Sequence, residues 1–142
     1  MSSTRSTAQQ LRAALHPLWR RLTADRTISV GKLGILGYLA KHGPATASTL
    51  SAAEKVTPQA ITTAVREMEA LGLVARTPDE RDRRRIWIEL TDTGRARLAK
   101  ERAIGADWLQ EAITARLTSE EEKTLEALIP ILHKLVADER VD

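Results

Sequence analysis

A mostly α-helical fold with one small β-hairpin is what this chain of 142 residues predicts. Three features predict it. Between Thr57 and Leu71 the apolar residues Ile61, Val65, Met68 and Leu71 recur at spacings of four, three and three, the period of one helix face. From Val74 to Leu90 the period becomes two, in two short runs separated by Asp79-Glu80-Arg81-Asp82-Arg83-Arg84. Helical stripes of leucine, isoleucine and tryptophan then occupy both ends of the chain.

The central helix has a marked start. Thr57 suits the cap, and Pro58 suits the first helical position, where its missing N–H would have no intrahelical partner anyway. Gly72 ends it, where a left-handed backbone is commonly needed. Opposite the apolar stripe fall Gln59, Thr63 and Arg66, with Thr62 at the margin. Val74 to Thr77 is a short strand stopped by Pro78. Arg85 to Leu90 alternates, with Ile86, Ile88 and Leu90 on one face and Arg85, Trp87 and Glu89 on the other, as a half-buried strand does. Helix, strand, arginine-rich tip and strand, in that order, outline a winged helix.

The flanking elements follow the same logic. Thr7 and Gln10 read as a capping box for a first helix carrying Leu11, Leu15, Leu18, Trp19 and Leu22, with a kink or restart expected at Pro17. A second helix is expected from Val30 to His42, capped by Ser29, stopped by Gly43-Pro44 and apolar nearly all round, hence central. Gly31, Gly34 and Gly37 within it each cost about 1 kcal/mol relative to alanine. Close crossing of another helix is the expected reason, and room for a small ligand beside Tyr38 is the other. Thr46 caps a short third helix through Ala53 with Leu50 inward, and the turn Glu54-Lys55-Val56 delivers the chain to Thr57, which makes a helix-turn-helix. After the hairpin a helix from Thr91 to about Arg116 carries Leu98, Ile104, Trp108, Leu109, Ala112 and Ile113. Thr118 and Glu121 form a second capping box, and the last helix carries Leu125, Leu128, Ile129, Leu132, Leu135 and Val136, with a kink expected at Pro130.

Composition bounds the function. Hydrophobic residues make up 42 % of the chain, enough for an ordinary core, and the absence of cysteine excludes disulfides and thiolate chemistry. There is no run of 18 apolar residues and no signal-peptide core in the first seven residues, so a cytoplasmic protein without a membrane partner is expected. Net charge is +3, with eight Lys or Arg against two acids in residues 1–56 and three against seven in residues 120–142. His16, His42 and His133 are scattered, without the spacing of a metal site, and no phosphate loop or nucleophile motif appears. No catalytic residue, metal or cofactor is therefore expected, and the chain is not read as an enzyme.

The polar face suits duplex DNA. Gln, Thr and Arg side chains reach base edges and phosphates in the major groove. A narrow minor groove attracts an inserted guanidinium, and Asp82 is placed to orient one from the hairpin tip. Ser48, Thr49 and the N-terminus of their helix can donate to phosphate.

Leu71-Gly72-Leu73-Val74-Ala75-Arg76, Asp82-Arg83-Arg84 and Leu90-Thr91-x-x-Gly94 resemble the signature of the MarR family of transcription regulators. Ala45 to Ala53 is similar to that family's first helix of the helix-turn-helix, and the likeness runs over about residues 8–138. It implies a homodimeric, ligand-responsive DNA-binding repressor, in which Asp82 and Arg84 match the wing pair whose arginine reaches the minor groove while the aspartate braces it. The full set of expected DNA contacts is Ser48, Thr49, Thr57, Gln59, Thr62, Thr63, Arg66, Arg76, Asp82, Arg83 and Arg84.

The expected organisation is a flexible stretch 1–6 and a single domain 7–142, with the winged-helix lobe at 28–91 and dimerisation helices at 7–24 and 92–139. The terminal helices carry more apolar surface than a winged helix of about 60 residues can cover, which points to a two-fold dimer. Its two recognition helices would address half-sites about 34 Å apart on a pseudo-palindromic operator. The resemblance also implies a small aromatic or phenolic effector, for which His16, Trp19, Tyr38 and Trp108 are the candidate contacts. The alternative is a winged helix that binds protein, or a metal-sensing regulator without small-molecule induction.

Overall fold

Threonine caps set the frame. In the computed structural model, which describes residues 2–137, the eight elements are α1 (Ser2–Leu22), α2 (Val30–His42), α3 (Ala47–Glu54), α4 (Pro58–Ala70), β1 (Val74–Pro78), β2 (Ile86–Leu90), α5 (Asp92–Arg116) and α6 (Ser119–Leu135). Arg26–Ala103 form one compact unit, and the stretches on either side of it form a second. The winged-helix unit thus runs past the expected limits 28–91 and takes in the first turns of α5.

Within Arg26–Ala103, Ser29, Thr46 and Thr57 cap α2, α3 and α4, each side-chain oxygen accepting from the backbone N–H three residues on. Ile35, Leu36 and Leu39 of α2 meet Leu50 of α3, Ile61, Val65 and Met68 of α4, and Leu73, Val74, Ile88 and Leu90 around the hairpin. Leu71 departs from the expected stripe. It is the C-cap of α4 and 56 % exposed, because the helix stops at Ala70 and Gly72, at φ 76°, turns the chain so that Leu73 enters the core instead.

The two strands pair antiparallel from Val74 opposite Leu90 to Pro78 opposite Ile86. Ala45 adds a one-residue third rung, donating to the Ile88 carbonyl at 3.0 Å and accepting from its N–H at 2.8 Å. Ile86 lies beyond this rung and is exposed, so only Ile88 and Leu90 of the expected inward face are buried. Two of the three glycines of α2 face side chains of neighbouring helices, Glu54 of α3 and Arg102 of α5. A methyl at Gly34 would meet the Glu54 carboxylate and one at Gly37 the Arg102 guanidinium, while Gly31 faces open space.

In the other unit, α1 begins at Ser2, ahead of the expected cap at Thr7, and residues 2–6 are helical rather than a flexible lead. Thr7 donates to the Ser3 carbonyl and Gln10 to the Ser6 hydroxyl, each at 2.9 Å, so the expected box is not made. Both α1 and α6 run through their prolines, Pro17 and Pro130. The Thr118–Glu121 box does form at the start of α6, with bonds of 3.2 and 2.9 Å. The Arg21 guanidinium lies over the Trp108 ring, 4.9 Å from its centroid. No residue of α6 is buried, and Leu15, Leu18, Trp19, Ile129, Ile131 and Leu135 of this unit remain exposed.

Candidate nucleic-acid interface

The helix α4 divides as its sequence requires. Ile61, Val65 and Met68 are buried in the core, so Gln59, Thr62, Thr63 and Arg66 stand on the exposed surface. Thr62 also donates its hydroxyl to the Pro58 carbonyl at 3.0 Å, which leaves its oxygen as an acceptor. An ion pair between Lys32 of α2 and Glu67 anchors the same helix from the side. Thr57 is committed to capping Ala60 and is exposed.

Ser48 and Thr49 are exposed on the first turn of α3, where the Thr46 hydroxyl takes the Thr49 N–H at 3.2 Å and donates to the Thr49 hydroxyl at 3.1 Å. Facing them across a groove of about 830 Å³ are Asp82, Arg84, Arg85, Ile86 and Trp87 of the hairpin. The helix N-terminus and the arginine-bearing wing therefore share one concave surface, suited to a phosphodiester strand.

At the wing tip, Asp82 accepts from the Arg84 backbone N–H at 3.1 Å and from its guanidinium Nε at 3.3 Å. The Arg84 side chain is nevertheless 94 % exposed, so its remaining donors point to solvent. Arg83 is exposed beside it. Arg76 differs from the other expected contacts. Its Nε reaches both Glu69 oxygens at 3.2 and 3.1 Å and its Nη2 reaches one at 3.0 Å, tying β1 to α4. That hydrogen bond holds the Glu69 carboxyl below its usual range and raises the guanidinium, so the pair is fully charged and mutually neutralised. Nothing in the sequence pairs Asp79 of the tip with Trp87 of the second strand, yet they meet at the base of the tip with the indole N–H 2.9 Å from the carboxylate.

The candidate effector contacts are divided between the units. Tyr38 is half-buried on α2, its ring 4.4 Å from that of His42. His16 and Trp19 line an open groove of about 970 Å³ along α1 with Leu11, Leu15 and Leu135. Trp108 is half-buried under Arg21. Among the described residues, no group of three or more His, Cys, Asp or Glu lies together to hold a metal, and no helix is long and apolar enough to cross a membrane.

A two-helix turn with an exposed polar second helix and a cationic hairpin defines a DNA-binding transcription regulator of the winged-helix class. Residues 27–85 match the model of the MarR family. Two Bacillus subtilis proteins are similar along most of their length. The HTH-type transcriptional regulator YwhA is 34 % identical over 95 residues, 67 % of this chain and 68 % of its own. The HTH-type transcriptional repressor MdtR is 31 % identical over 113 residues, 77 % of this chain and 73 % of its own. A solved transcriptional regulator from Pseudomonas aeruginosa superposes with a TM-score of 0.83 at 28 % identity, covering 96 % of this chain and 97 % of that one. The chain belongs to the MarR family of transcription regulators.

Proposed function

We propose that the chain works in the cytoplasm as a homodimeric repressor of a pseudo-palindromic operator, released by a small aromatic effector. The observation that carries the DNA-reading part is the outward polar face of α4. Gln59, Thr63 and Arg66 are exposed while the three apolar residues between and beyond them are buried, so this face meets bases without unfolding anything. Arg84, held by Asp82, inserts into the minor groove next to each half-site, and Ser48, Thr49, Thr57, Thr62 and Arg83 meet the backbone. Arg76 braces the wing through Glu69 and leaves the contact set.

Dimerisation is supported by the apolar surface left open on the terminal helices. Trp19 is 52 % and Leu135 63 % exposed, a pattern that a second copy of the same surface covers. The repressor reading takes its sign from the printed description of MdtR. The groove along α1, where Trp19 and His16 stand among Leu11, Leu15 and Leu135 with Gln9 and Arg12 also in the lining, supports an aromatic effector. Such an effector lowers DNA affinity by its preference for a dimer whose recognition helices are wrongly spaced.

The test is a pair of substitutions assayed on the DNA upstream of the chain's own gene. Arg66→Ala weakens binding at one base position, by about 1–3 kcal/mol, and relaxes specificity there. Arg84→Ala weakens binding across sequences. Unchanged affinity in both variants refutes the reading. Light scattering at micromolar concentration tests the dimer separately, and a monomer there contradicts the two-half-site arrangement.

A further inference from the structure

The hairpin tip is braced from inside by a chain of contacts that the Asp82–Arg84 pair alone does not explain. Trp87 lies on β2 and is half-buried. Its indole N–H, which can only donate, reaches Asp79 Oδ1 at 2.9 Å. The other oxygen of Asp79 takes the backbone N–H groups of Arg81 at 3.1 Å and Asp82 at 2.9 Å. Asp79 also closes the hairpin through its own N–H, 2.8 Å from the Arg85 carbonyl. The Arg85 guanidinium sits over the Trp87 ring, 5.8 Å from its centroid. The path therefore runs from a half-buried ring to one carboxylate, from that carboxylate to the backbone of Asp82, and from the Asp82 side chain to the Arg84 guanidinium.

We propose that Asp79 and Trp87 are a positioning pair that presets the wing, so that Arg84 meets a minor groove of one width and discriminates the DNA flanking each half-site. The proposal rests on the DNA reading above and deepens it. A guanidinium on a loose tip would follow any groove, gaining from negative potential with little regard to shape. A guanidinium on a preset tip gains most where the groove is narrow and its potential strongest, as in A-tracts. Discrimination then arises at base pairs that no side chain of α4 reaches. Asp79 and Trp87 need not touch DNA to cause it, since they act through Asp82 and Arg84.

The experiment compares binding of the full-length protein, by fluorescence anisotropy, to two duplexes with identical half-sites. One has A-tract flanks and the other G·C flanks. Trp87→Phe keeps an aromatic ring and removes the indole bond, while Asp79→Asn keeps the volume of the carboxylate but leaves one acceptor oxygen, which cannot serve both the indole and the backbone N–H groups of Arg81 and Asp82. Wild type prefers the A-tract duplex. Each variant loses at least about fivefold on it and stays within about twofold of wild type on the G·C duplex, with the double variant no worse than either single one. Equal weakening on both duplexes, or retained flank preference in both variants, overturns the proposal. Arg84→Ala separates the two levels of the account. If it abolishes flank preference while Asp79→Asn and Trp87→Phe keep it, the positioning pair fails and the minor-groove contact stands. If Arg84→Ala changes neither duplex, the minor-groove contact fails and the positioning role fails with it. A thermal melt of each variant accompanies the assay, and a lowered melting point with equal loss on both duplexes marks a merely structural role.

Discussion

The hydroxyl of Thr91 donates to the carbonyl oxygen of Gly72 at 2.6 Å and, with its own lone pair, accepts from the N–H of Gly94 at 3.0 Å. One side chain thus joins the end of the recognition helix to the start of α5. Gly72 stands where α4 leaves an open carbonyl, and Gly94 where α5 has an open N–H. Thr91→Val keeps the shape and removes both bonds. It should cost about 1–2 kcal/mol, read as a lowered urea midpoint with an unchanged slope. An unchanged midpoint contradicts the assignment.

Gly94 is fixed by crowding rather than by backbone conformation. It is buried, and a methyl there runs into the Leu73 carbonyl and approaches Leu90 Cδ1 to 2.8 Å. The Leu90 methyl could turn aside, but the Leu73 carbonyl is backbone and cannot, so α5 must shift. Gly94→Ala is expected to destabilise by roughly 1–3 kcal/mol, despite alanine's better helix propensity. Calorimetry that finds Gly94→Ala as stable as wild type would disprove the close packing.

Glu101 is the one buried charged residue of the described chain and is 6 % exposed. Burial pushes its carboxyl upward, but hydrogen bonds from the Thr27 hydroxyl and N–H and from Arg97 overcome this and hold it below the usual range. A depressed carboxyl stabilises fully above its unfolded value, near about 4.3, and loses that contribution as pH falls through the lower folded value. Glu101→Gln should therefore be less stable than wild type by about 2 kcal/mol at pH 7. The gap should hold down to about pH 5 and narrow below about pH 4. Chemical denaturation across that range checks it, and a gap that widens in acid would contradict the network.

Arg76 and Arg84 should separate by salt. Arg84→Ala is expected to reduce the slope of log affinity against log salt by about one per protomer, as the loss of a phosphate-region cation does. Arg76→Ala leaves the slope unchanged, since Glu69 already matches that charge, and lowers affinity only by loosening β1. A slope change for Arg76→Ala equal to that for Arg84→Ala would return Arg76 to the DNA-contact set.

Local chemistry made most of the fold legible in the sequence. The caps at Ser29, Thr46, Thr57 and Thr118 each act within three residues of themselves, and the stripe Ile61, Val65, Met68 needs only a helical period. What stayed hidden depends on distant partners. Thr27 and Glu101 lie 74 residues apart, and no periodic pattern relates them. The Ala45–Ile88 rung is one residue long, too short to alternate. The glycines of α2 announced a need for space but not that Glu54 and Arg102 fill it. The start of α1 was missed because Ser2 to Ser6 has no apolar member to mark a face. At the interface, the exposed face of α4 followed from its period, whereas the Arg76–Glu69 and Asp79–Trp87 pairs join different elements and only the fold brings them together.

The central claim is that two copies of α4 present their polar faces to one duplex. Selecting bound fragments from a random DNA pool tests it most directly. The account predicts an enriched palindromic consensus whose half-sites lie about one helical turn apart, with A·T-rich flanks beside each. Enrichment of a single unrepeated site, or no enrichment over the starting pool, would contradict it.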